Sequence, residues 1–157
     1  MAITFLTTTC YGTWLPGDLR GYVRKGVILP ADPKLLKQSR SFLKSDPVLF
    51  SPHERDRLFE SLVTAADEFG YRLTDAAIEA WHLHWIVWDG EDSASVMAGR
   101  LKNRLRQALN RGRIWTEGFC GEPLLDDRAL EQAQEYIARH SGCRMSAGNV
   151  VGQPTAR

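Results

Sequence analysis

The sequence predicts an α+β domain in which helices pack on an antiparallel sheet. Two observations support this class: two strand-like segments follow each other closely near residue 80, and the predicted elements run in the order strand, helices, strand pair, helix, helix. The length of 157 residues suits one domain with its own hydrophobic core. We expect this domain to span residues 1–144 and the small, polar residues 145–157 to form a loose C-terminal tail.

The N-terminal half contains one predicted strand and two predicted helices. A first strand is predicted from AITFLTTTCYGTW, which is rich in Thr, Ile and Phe, whereas the overlapping GTWLPGDLRG has too much Gly and Pro for regular structure. A short helix is expected with Asp32 as N-cap and Pro33 at its first position. A longer helix is expected after Ser51, which can form a capping box with Glu54.

The C-terminal half contains the strand pair and two more helices. YRLTDAAIEA and HLHWIVW are predicted to pair antiparallel, with a turn at Asp89 and Gly90 after the second strand. The next helix is expected to begin near Asp92 or Ser93 and to cover SASVMAGRLKNRLRQALNRG. IWTEGFCGEPLLDD is expected to be irregular with room for a short strand, and DRALEQAQEYIARHSG predicts the final helix, with Gly142 at its end.

Charge and cysteine content restrict the classes of protein to consider. The net charge is only +1, so any surface that binds nucleic acid must be local. Three scattered cysteines, an odd number, argue against a disulfide framework and favour a reducing compartment. Neither a signal-peptide pattern nor a membrane-spanning stretch is found in the sequence. We therefore expect a cytoplasmic protein that does not associate with membranes.

Two histidines, His82 and His84, stand one residue apart in an apolar strand. Alternate residues of a strand share a face, so the two imidazoles are expected to lie side by side, roughly 6.6 Å apart along the strand. Such a pair can bind one divalent cation, but it can equally be two satisfied polar residues on a partly wet face. The opposite face is expected to carry Trp81, Leu83, Trp85 and Val87.

The final helix supplies a candidate third ligand and a reacting group. Tyr136 and His140 are four residues apart, which places them on one helical face. Tyr136 lies off the apolar stripe of this helix, so it need not belong to the core. A tyrosine there is commonly a rim residue, and a histidine in a last turn commonly interacts with the helix dipole. A helix packed across the sheet could instead bring both to the histidine pair.

The helix after the strand pair carries only basic charges between residues 100 and 113. The alternative to a DNA-binding surface is a solvated helix whose long side chains cover their own apolar seam. The absence of any acidic residue in this stretch favours phosphate contacts. The candidate DNA-binding residues are Arg100, Lys102, Arg104, Arg106, Arg111 and Arg113. Tryptophans usually belong to the core of a small domain, and Trp14 and Trp115 are the candidates for base stacking.

Several of these motifs together resemble HUH single-strand endonucleases, and especially the REP-associated tyrosine transposases. The His82-Leu83-His84 segment is similar to the histidine–hydrophobe–histidine signature of that group. Three further segments resemble its N-terminal segment, its lysine-bearing helix and the stretch that leads to its nucleophile: YGTWLPGDLRG, RLKNRLRQAL and IWTEGFCGEPLLDDRALEQAQEYI. The likeness covers most of residues 3–142. Glu79-Ala80-Trp81 replaces the Met-Pro-Asn of many relatives, and His140 replaces their Asn or Gln.

The resemblance implies a ferredoxin-like (RRM-like) HUH fold and transesterification on single-stranded or hairpin DNA. Tyr136 would attack a phosphodiester, form a 5′-phosphotyrosyl link and release a 3′-hydroxyl. His82, His84 and His140 would bind Mg²⁺ or Mn²⁺, and Lys102 would reach into the active site. The protein would act as a monomer or a homodimer.

Two other functions remain open at this point. One is a domesticated DNA-binding protein that keeps the fold and has lost the reaction, which the intact histidine pair and Tyr136 disfavour. The other is a structural zinc domain that uses His82, His84, His140 and Cys143. A closed structural site of that kind is needed for folding, so chelation would unfold the protein.

Overall fold

The structure is a computed structural model that describes residues 2–88 and 91–147. In chain order the described elements are β1 (Ile3–Thr9), β2 (Tyr22–Arg24), β3 (Val27–Leu29), α1 (Pro33–Ser41), α2 (Pro52–Glu68), β4 (Arg72–Ile78), β5 (His82–Trp88), α3 (Ala94–Leu109), β6 (Cys120–Pro123), α4 (Asp127–Ala138) and β7 (Cys143–Met145). None of the helices in these ranges is both long and apolar enough to cross a membrane.

One antiparallel sheet organises the chain. Its five strands lie in the order β6-β1-β5-β4-β7, and all neighbours pair antiparallel. β5 is central and is buried on both faces, which explains why its sequence is almost continuously apolar. The predicted α+β class is confirmed, and so is the predicted antiparallel pairing of β4 with β5. β2 and β3 form a separate hairpin.

The helices cover the two faces of the sheet unequally. α2 and α3 pack on the face that carries Leu83, Trp85 and Val87, and together they form the larger core. α4 packs on the other face, where Ile137 meets Ile86. Because alternate residues of a strand point to opposite faces, the two histidines of β5 lie on the α4 side.

Helix N-caps follow the predicted side-chain chemistry. The Asp32 carboxylate accepts from the backbone N–H of Leu35 at the start of α1. Ser51 and Glu54 form a reciprocal capping box at the start of α2. Ser93, one of the two predicted caps, begins α3. These ends are local because each cap bonds an N–H group only three residues away.

Three parts of the chain differ from the sequence-based prediction. α4 ends at Ala138, so His140 lies beyond the helix rather than in its last turn. The β2–β3 hairpin occurs in a segment that gave no strand pattern, and its two-residue loop places Lys25 and Gly26 at positive φ. Met145, where the predicted tail begins, belongs to β7. The predicted turn at residues 89–90 and tail residues 148–157 lie outside the described residues.

Candidate metal centre

Three histidines meet on the α4 face of the sheet. One ring nitrogen of each of His82, His84 and His140 lies within 4.8 Å of the other two. The ring centroids of His82 and His84 are 4.7 Å apart, and the His140 ring is 5.6 Å and 4.7 Å from them, respectively. Both strand histidines are buried and His140 is half-buried. The structure thus brings together the three residues that the sequence singled out.

The neighbouring strand β1 fixes the orientation of His84. Thr7 lies directly opposite His84 in the β1–β5 register, and its Oγ1 is 2.7 Å from His84 Nδ1. This contact engages Nδ1 and leaves Nε2 for the centre of the cluster. A partner that holds the second nitrogen is the usual support of a metal-binding histidine. Sequence reasoning missed Thr7, because Thr7, Thr8 and Thr9 are consecutive and only the pairing of β1 with β5 shows which of them faces His84.

His140 is positioned by the turn that follows α4. Its Nδ1 donates to the Tyr136 carbonyl at 2.8 Å, so Nε2 carries the lone pair. The Glu79 carboxylate holds the turn by accepting from the Gly142 backbone N–H at 2.7 Å and from the Ser141 hydroxyl. These contacts tie the turn to Glu79, and the turn delivers the third imidazole.

Burial favours the neutral form of the two strand histidines. Burial, followed by the nearby charge of His140, lowers the pKa of His82 to about 4. Burial and the two other histidines lower the pKa of His84 to about 3. Neutral imidazole is the form that binds a metal ion. Nδ1 of His82 is buried without a hydrogen-bond partner among the described residues, which a cation-binding role for this ring would explain. The residues therefore fit a divalent cation.

Tyr136 stands beside the histidines on the exposed side of α4. Its hydroxyl oxygen is 3.5 Å from His84 Nε2, and its ring lies 4.6 Å from that of His140. Phe5 of β1 meets the tyrosine ring edge-on at 6.0 Å. The side chain is 47% exposed, and the buried stripe of α4 runs through Ala133 and Ile137, so Tyr136 lies off that stripe. The phenol is thus fixed on a helix yet reachable from solvent.

A cavity of about 310 Å³ opens over this cluster. Its walls include Tyr136 and the three histidines. The other wall residues are Thr7, Thr9, Trp14, Arg20 and Trp81. Trp81 was expected on the opposite face, and this expectation was wrong. Trp81 precedes β5 and so escapes the alternation of the strand, and its ring lies 3.9 Å from that of His82. Trp115, a candidate for base stacking, is buried in the larger core.

α3 packs on the other side of the sheet from the histidines and carries four of the six candidate DNA-binding residues, and Arg111 and Arg113 follow it in the chain. Arg100, Arg104 and Arg111 form ion pairs with Asp92, Glu68 and Glu54, respectively. Lys102 donates to the carbonyls of Thr116 and Gly118 and is not part of the cavity wall. Arg106 bonds Asn103, and Arg113 lies over the Tyr11 ring at 5.5 Å. Three of the six candidate DNA-binding residues are therefore paired with acidic residues that lie outside the 100–113 stretch.

Cys143 does not join the histidines. The group of mutually close ligand atoms in the described residues consists of the three imidazoles alone. The Cys143 Sγ is instead 3.7 Å from the Met145 carbonyl, and burial raises the pKa of its thiol, whereas a zinc ligand would be a thiolate. Three protein ligands leave a coordination position open, which is the pattern of catalytic rather than structural sites.

Comparison with known proteins supports the architecture. No protein-family model matches the chain, and no curated protein matches it in sequence. Among solved structures, it matches one described as a REP-associated tyrosine transposase bound to a REP hairpin, with a TM-score of 0.59 over 99% of this chain and 91% of that chain. The chain has the fold of that transposase. Sequence identity is 11%, so the likeness concerns the fold, and it confirms the fold that the motifs implied.

Proposed function

We propose that this protein is a metal-dependent enzyme that nicks and joins single-stranded DNA through Tyr136. The observation that carries the proposal is the position of the Tyr136 hydroxyl, 3.5 Å from Nε2 of His84 and beside a cluster of three histidines. A nucleophile next to a candidate metal centre, in one cavity, is the arrangement that phosphoryl transfer needs. A single domain over residues 1–144 would supply all of these groups.

The side chains divide the chemistry among them. A divalent cation bound by the three imidazoles would polarise the scissile phosphate and stabilise charge in the transition state. The Tyr136 oxygen attacks phosphorus and loses its proton, a new O–P bond forms, and the bond from phosphorus to the 3′-oxygen breaks. The leaving oxygen takes up a proton and becomes a 3′-hydroxyl. Because one phosphodiester replaces another, a 3′-hydroxyl can reverse the reaction and rejoin the strand.

The rigidity of the site supports this assignment. In-line attack needs the reacting oxygen within about 3–3.5 Å of phosphorus. Tyr136 is carried by α4, which packs on the sheet through Ile137, and the Phe5 ring restricts the phenol from the other side. Neither Tyr11 nor Tyr22 belongs to the cavity wall, and Tyr71 bonds Asp92.

Mg²⁺ or Mn²⁺ is the proposed cofactor, by resemblance. An all-imidazole site is softer than Mg²⁺ prefers, so protein purified from cells is expected to carry Mn²⁺, Ni²⁺ or Zn²⁺. The proposed partner is single-stranded or hairpin DNA, and the structurally similar transposase is described with a hairpin bound.

The decisive experiment is a search for a covalent protein–DNA adduct. Wild-type protein is incubated with Mn²⁺ and with hairpins flanked by single strands, and adducts are resolved after denaturation. Tyr136→Phe should form none, while its half-exposed position predicts a nearly unchanged free energy of unfolding. Tyr22→Phe is the matched control and should form the adduct normally. An adduct with Tyr136→Phe, or a link mapped to another tyrosine, would refute the mechanism.

Metal removal distinguishes this function from its two competitors. We expect chelation, or His82→Ala, to stop cleavage while circular dichroism shows a folded protein. Unfolding on chelation would instead favour the structural zinc domain. A wild-type protein that binds hairpins and never cleaves them, with any divalent metal, would favour the domesticated DNA-binding protein.

A further inference from the structure

The candidate site continues past the histidines on the side away from Tyr136. The Tyr136 ring lies 5.1 Å from that of His84, the His84 ring lies 4.7 Å from that of His82, and the His82 ring lies 3.9 Å from that of Trp81. These rings form a row along the start of β5. The phenol stands at one end of the row and the indole at the other.

Arg20 is locked in place over this indole. Its guanidinium carbon is 4.5 Å from the centroid of the Trp81 ring. Two of its nitrogens donate to the Asp18 carboxylate at 2.7 and 2.8 Å, and one also donates to the Thr13 carbonyl at 2.9 Å. The side chain is nevertheless half exposed. A planar cation fixed on one face by Trp81 has its other face available for a second flat ring.

Trp14 is the second fixed aromatic surface in this part of the cavity. Its indole N–H donates to the Gly21 carbonyl at 2.8 Å, and its ring meets Trp81 edge-on at 6.4 Å. Trp14 is 38% exposed, although the hydrogen bond to Gly21 and the contact with Trp81 both restrain its ring. A rigid tryptophan that keeps part of its surface in water, beside a candidate active site, is suited to binding a flat apolar ligand.

The loop that carries Trp14 and Arg20 is preorganised by its contacts with α1. The Gly17 carbonyl accepts from the Asp32 N–H, and the Pro16 carbonyl accepts from Ser39. Gly17 has a φ of +88°, and a Cβ there would lie 2.4 Å from the backbone nitrogen of Leu36, so only glycine fits. The segment therefore pays little conformational entropy on binding.

The direction of attack decides which part of the DNA meets these rings. In phosphoryl transfer the attacking and leaving oxygens lie roughly in line across phosphorus. A phosphate over the three histidines that is attacked by Tyr136 therefore releases its 3′-oxygen on the opposite side. Trp81 contacts His82, at the end of the ring row away from Tyr136, and Arg20 lies over Trp81. The nucleotide that leaves with the 3′-hydroxyl is the one directed towards them.

Resting on the proposed function, we propose that Trp14, Arg20 and Trp81 form a stacking subsite for the nucleobase immediately 5′ of the scissile phosphate. The base stacks on the outer face of the Arg20 guanidinium and on Trp14, as unstacked bases do on arginine and aromatic side chains. The subsite keeps the freed 3′-end beside the phosphotyrosine, where it is ready for rejoining.

A second cavity provides a path for the rest of the leaving strand. It has a volume of about 500 Å³ and shares Arg20 and Trp81 with the cavity over the histidines. Arg40 supplies a positive charge on its wall, and Leu43 and Leu49 supply apolar surface. A strand that runs 5′ from the subsite would thus pass a cation and apolar groups that suit phosphate and bases.

The test combines DNA lacking single bases with protein variants. Affinities are measured in the Tyr136→Phe background, without metal, using an oligonucleotide that the wild type cleaves. An abasic nucleotide immediately 5′ of the cleavage position should weaken binding about tenfold, and so should Trp14→Ala. Combining the two should give no further loss, whereas an abasic nucleotide on the 3′ side should add independently to Trp14→Ala.

Arg20→Lys separates stacking from charge. It keeps the positive charge and loses the planar surface, so it should weaken binding and lose sensitivity to the 5′ abasic nucleotide. Arg72→Lys is the matched control, because Arg72 lies over Trp88 at 4.9 Å at the far end of β5 and outside the cavity. It should bind all of these oligonucleotides as the wild type does.

The outcomes keep the two proposals apart. If the wild type cleaves DNA and the effects of Trp14→Ala and of the 5′ abasic nucleotide are additive, the subsite is refuted and the proposed function stands. If the wild type cleaves nothing, the proposed function fails, and the abasic nucleotide is instead moved along a bound oligonucleotide. Absence of coupling to Trp14 at every position, or absence of DNA binding, then overturns the subsite as well.

Discussion

Removing the hydroxyl of Thr7, which is not a candidate ligand itself, should weaken metal binding by the three histidines. Thr7→Val keeps the shape and the β-branched side chain, so the strand and its packing remain favourable. It removes the oxygen that lies 2.7 Å from Nδ1 of His84. The His84 side chain is only 5% exposed, so water cannot readily replace the lost partner. The imidazole is left with an unpaired buried nitrogen and a looser orientation.

The structure gives the size of the effect and a matched control. An unsatisfied buried polar group costs about 1–3 kcal/mol of stability. Thr8, the next residue, points to the opposite face, is 2% exposed, and its Oγ1 has no hydrogen-bond partner within the described residues. Thr8→Val should therefore be neutral or stabilising, since it removes a buried hydroxyl that is already unsatisfied. A difference of about 2 kcal/mol corresponds to a separation in Tm of about 4–8 °C for a protein of this size.

Two measurements on each variant test this expectation. Thermal unfolding in the presence of a chelator should place Thr7→Val below the wild type and Thr8→Val at or above it. Titration with Mn²⁺ should show affinity weakened about 10–100-fold in Thr7→Val alone, the usual cost of losing a partner that orients a ligand. Wild-type stability and wild-type Mn²⁺ affinity in Thr7→Val would refute the role assigned to this contact.

Two further predictions concern the turn after α4 and the basic helix. A Cβ at Gly142 would lie 2.2 Å from the Ile78 carbonyl oxygen, so Gly142→Ala should displace the turn that carries the third histidine and weaken Mn²⁺ binding measured by titration. Gly99→Ala, where the space is open, should keep wild-type affinity and stabilise α3 by up to about 1 kcal/mol. Replacing Arg104 and Arg106 with alanine should reduce the slope of log K against log salt for single-stranded DNA by about 1.4. An unchanged slope would mean that these arginines face solvent or form ion pairs within the protein and do not contact DNA.

The sequence by itself determined the elements whose causes are local. The caps at Asp32 and Ser51 involve N–H groups three residues away, so they could be identified from short motifs. The period of two residues in a strand placed His82 and His84 on one face before any partner was known. Helical periodicity likewise placed Tyr136 off the apolar stripe of its helix.

Tertiary structure decided everything that depends on register between distant segments. Thr7 supports His84 only because β1 pairs with β5 in a register that places them opposite each other, 77 residues apart in sequence. The basic stretch 100–113 suggested a DNA-binding surface because it carries only positive charges. Its acidic partners lie outside that stretch and are Glu54, Glu68 and Asp92. Composition within a window cannot reveal charges that folding brings in from elsewhere.

In the candidate site, too, the sequence determined part of the arrangement and the tertiary structure decided the rest. Spacing placed His82 and His84 on one face of a strand and Tyr136 with His140 on one face of a helix, but their meeting requires α4 to lie across the sheet, which the burial of Ile137 against Ile86 achieves. His140 is brought in by a turn beyond the helix, tied to Glu79 through Gly142. Trp81 lies on the cavity side because the chain bends before β5 begins, where strand alternation no longer applies. Periodicity fixes which side chains share a face of one element, and only the packing of elements fixes which faces meet.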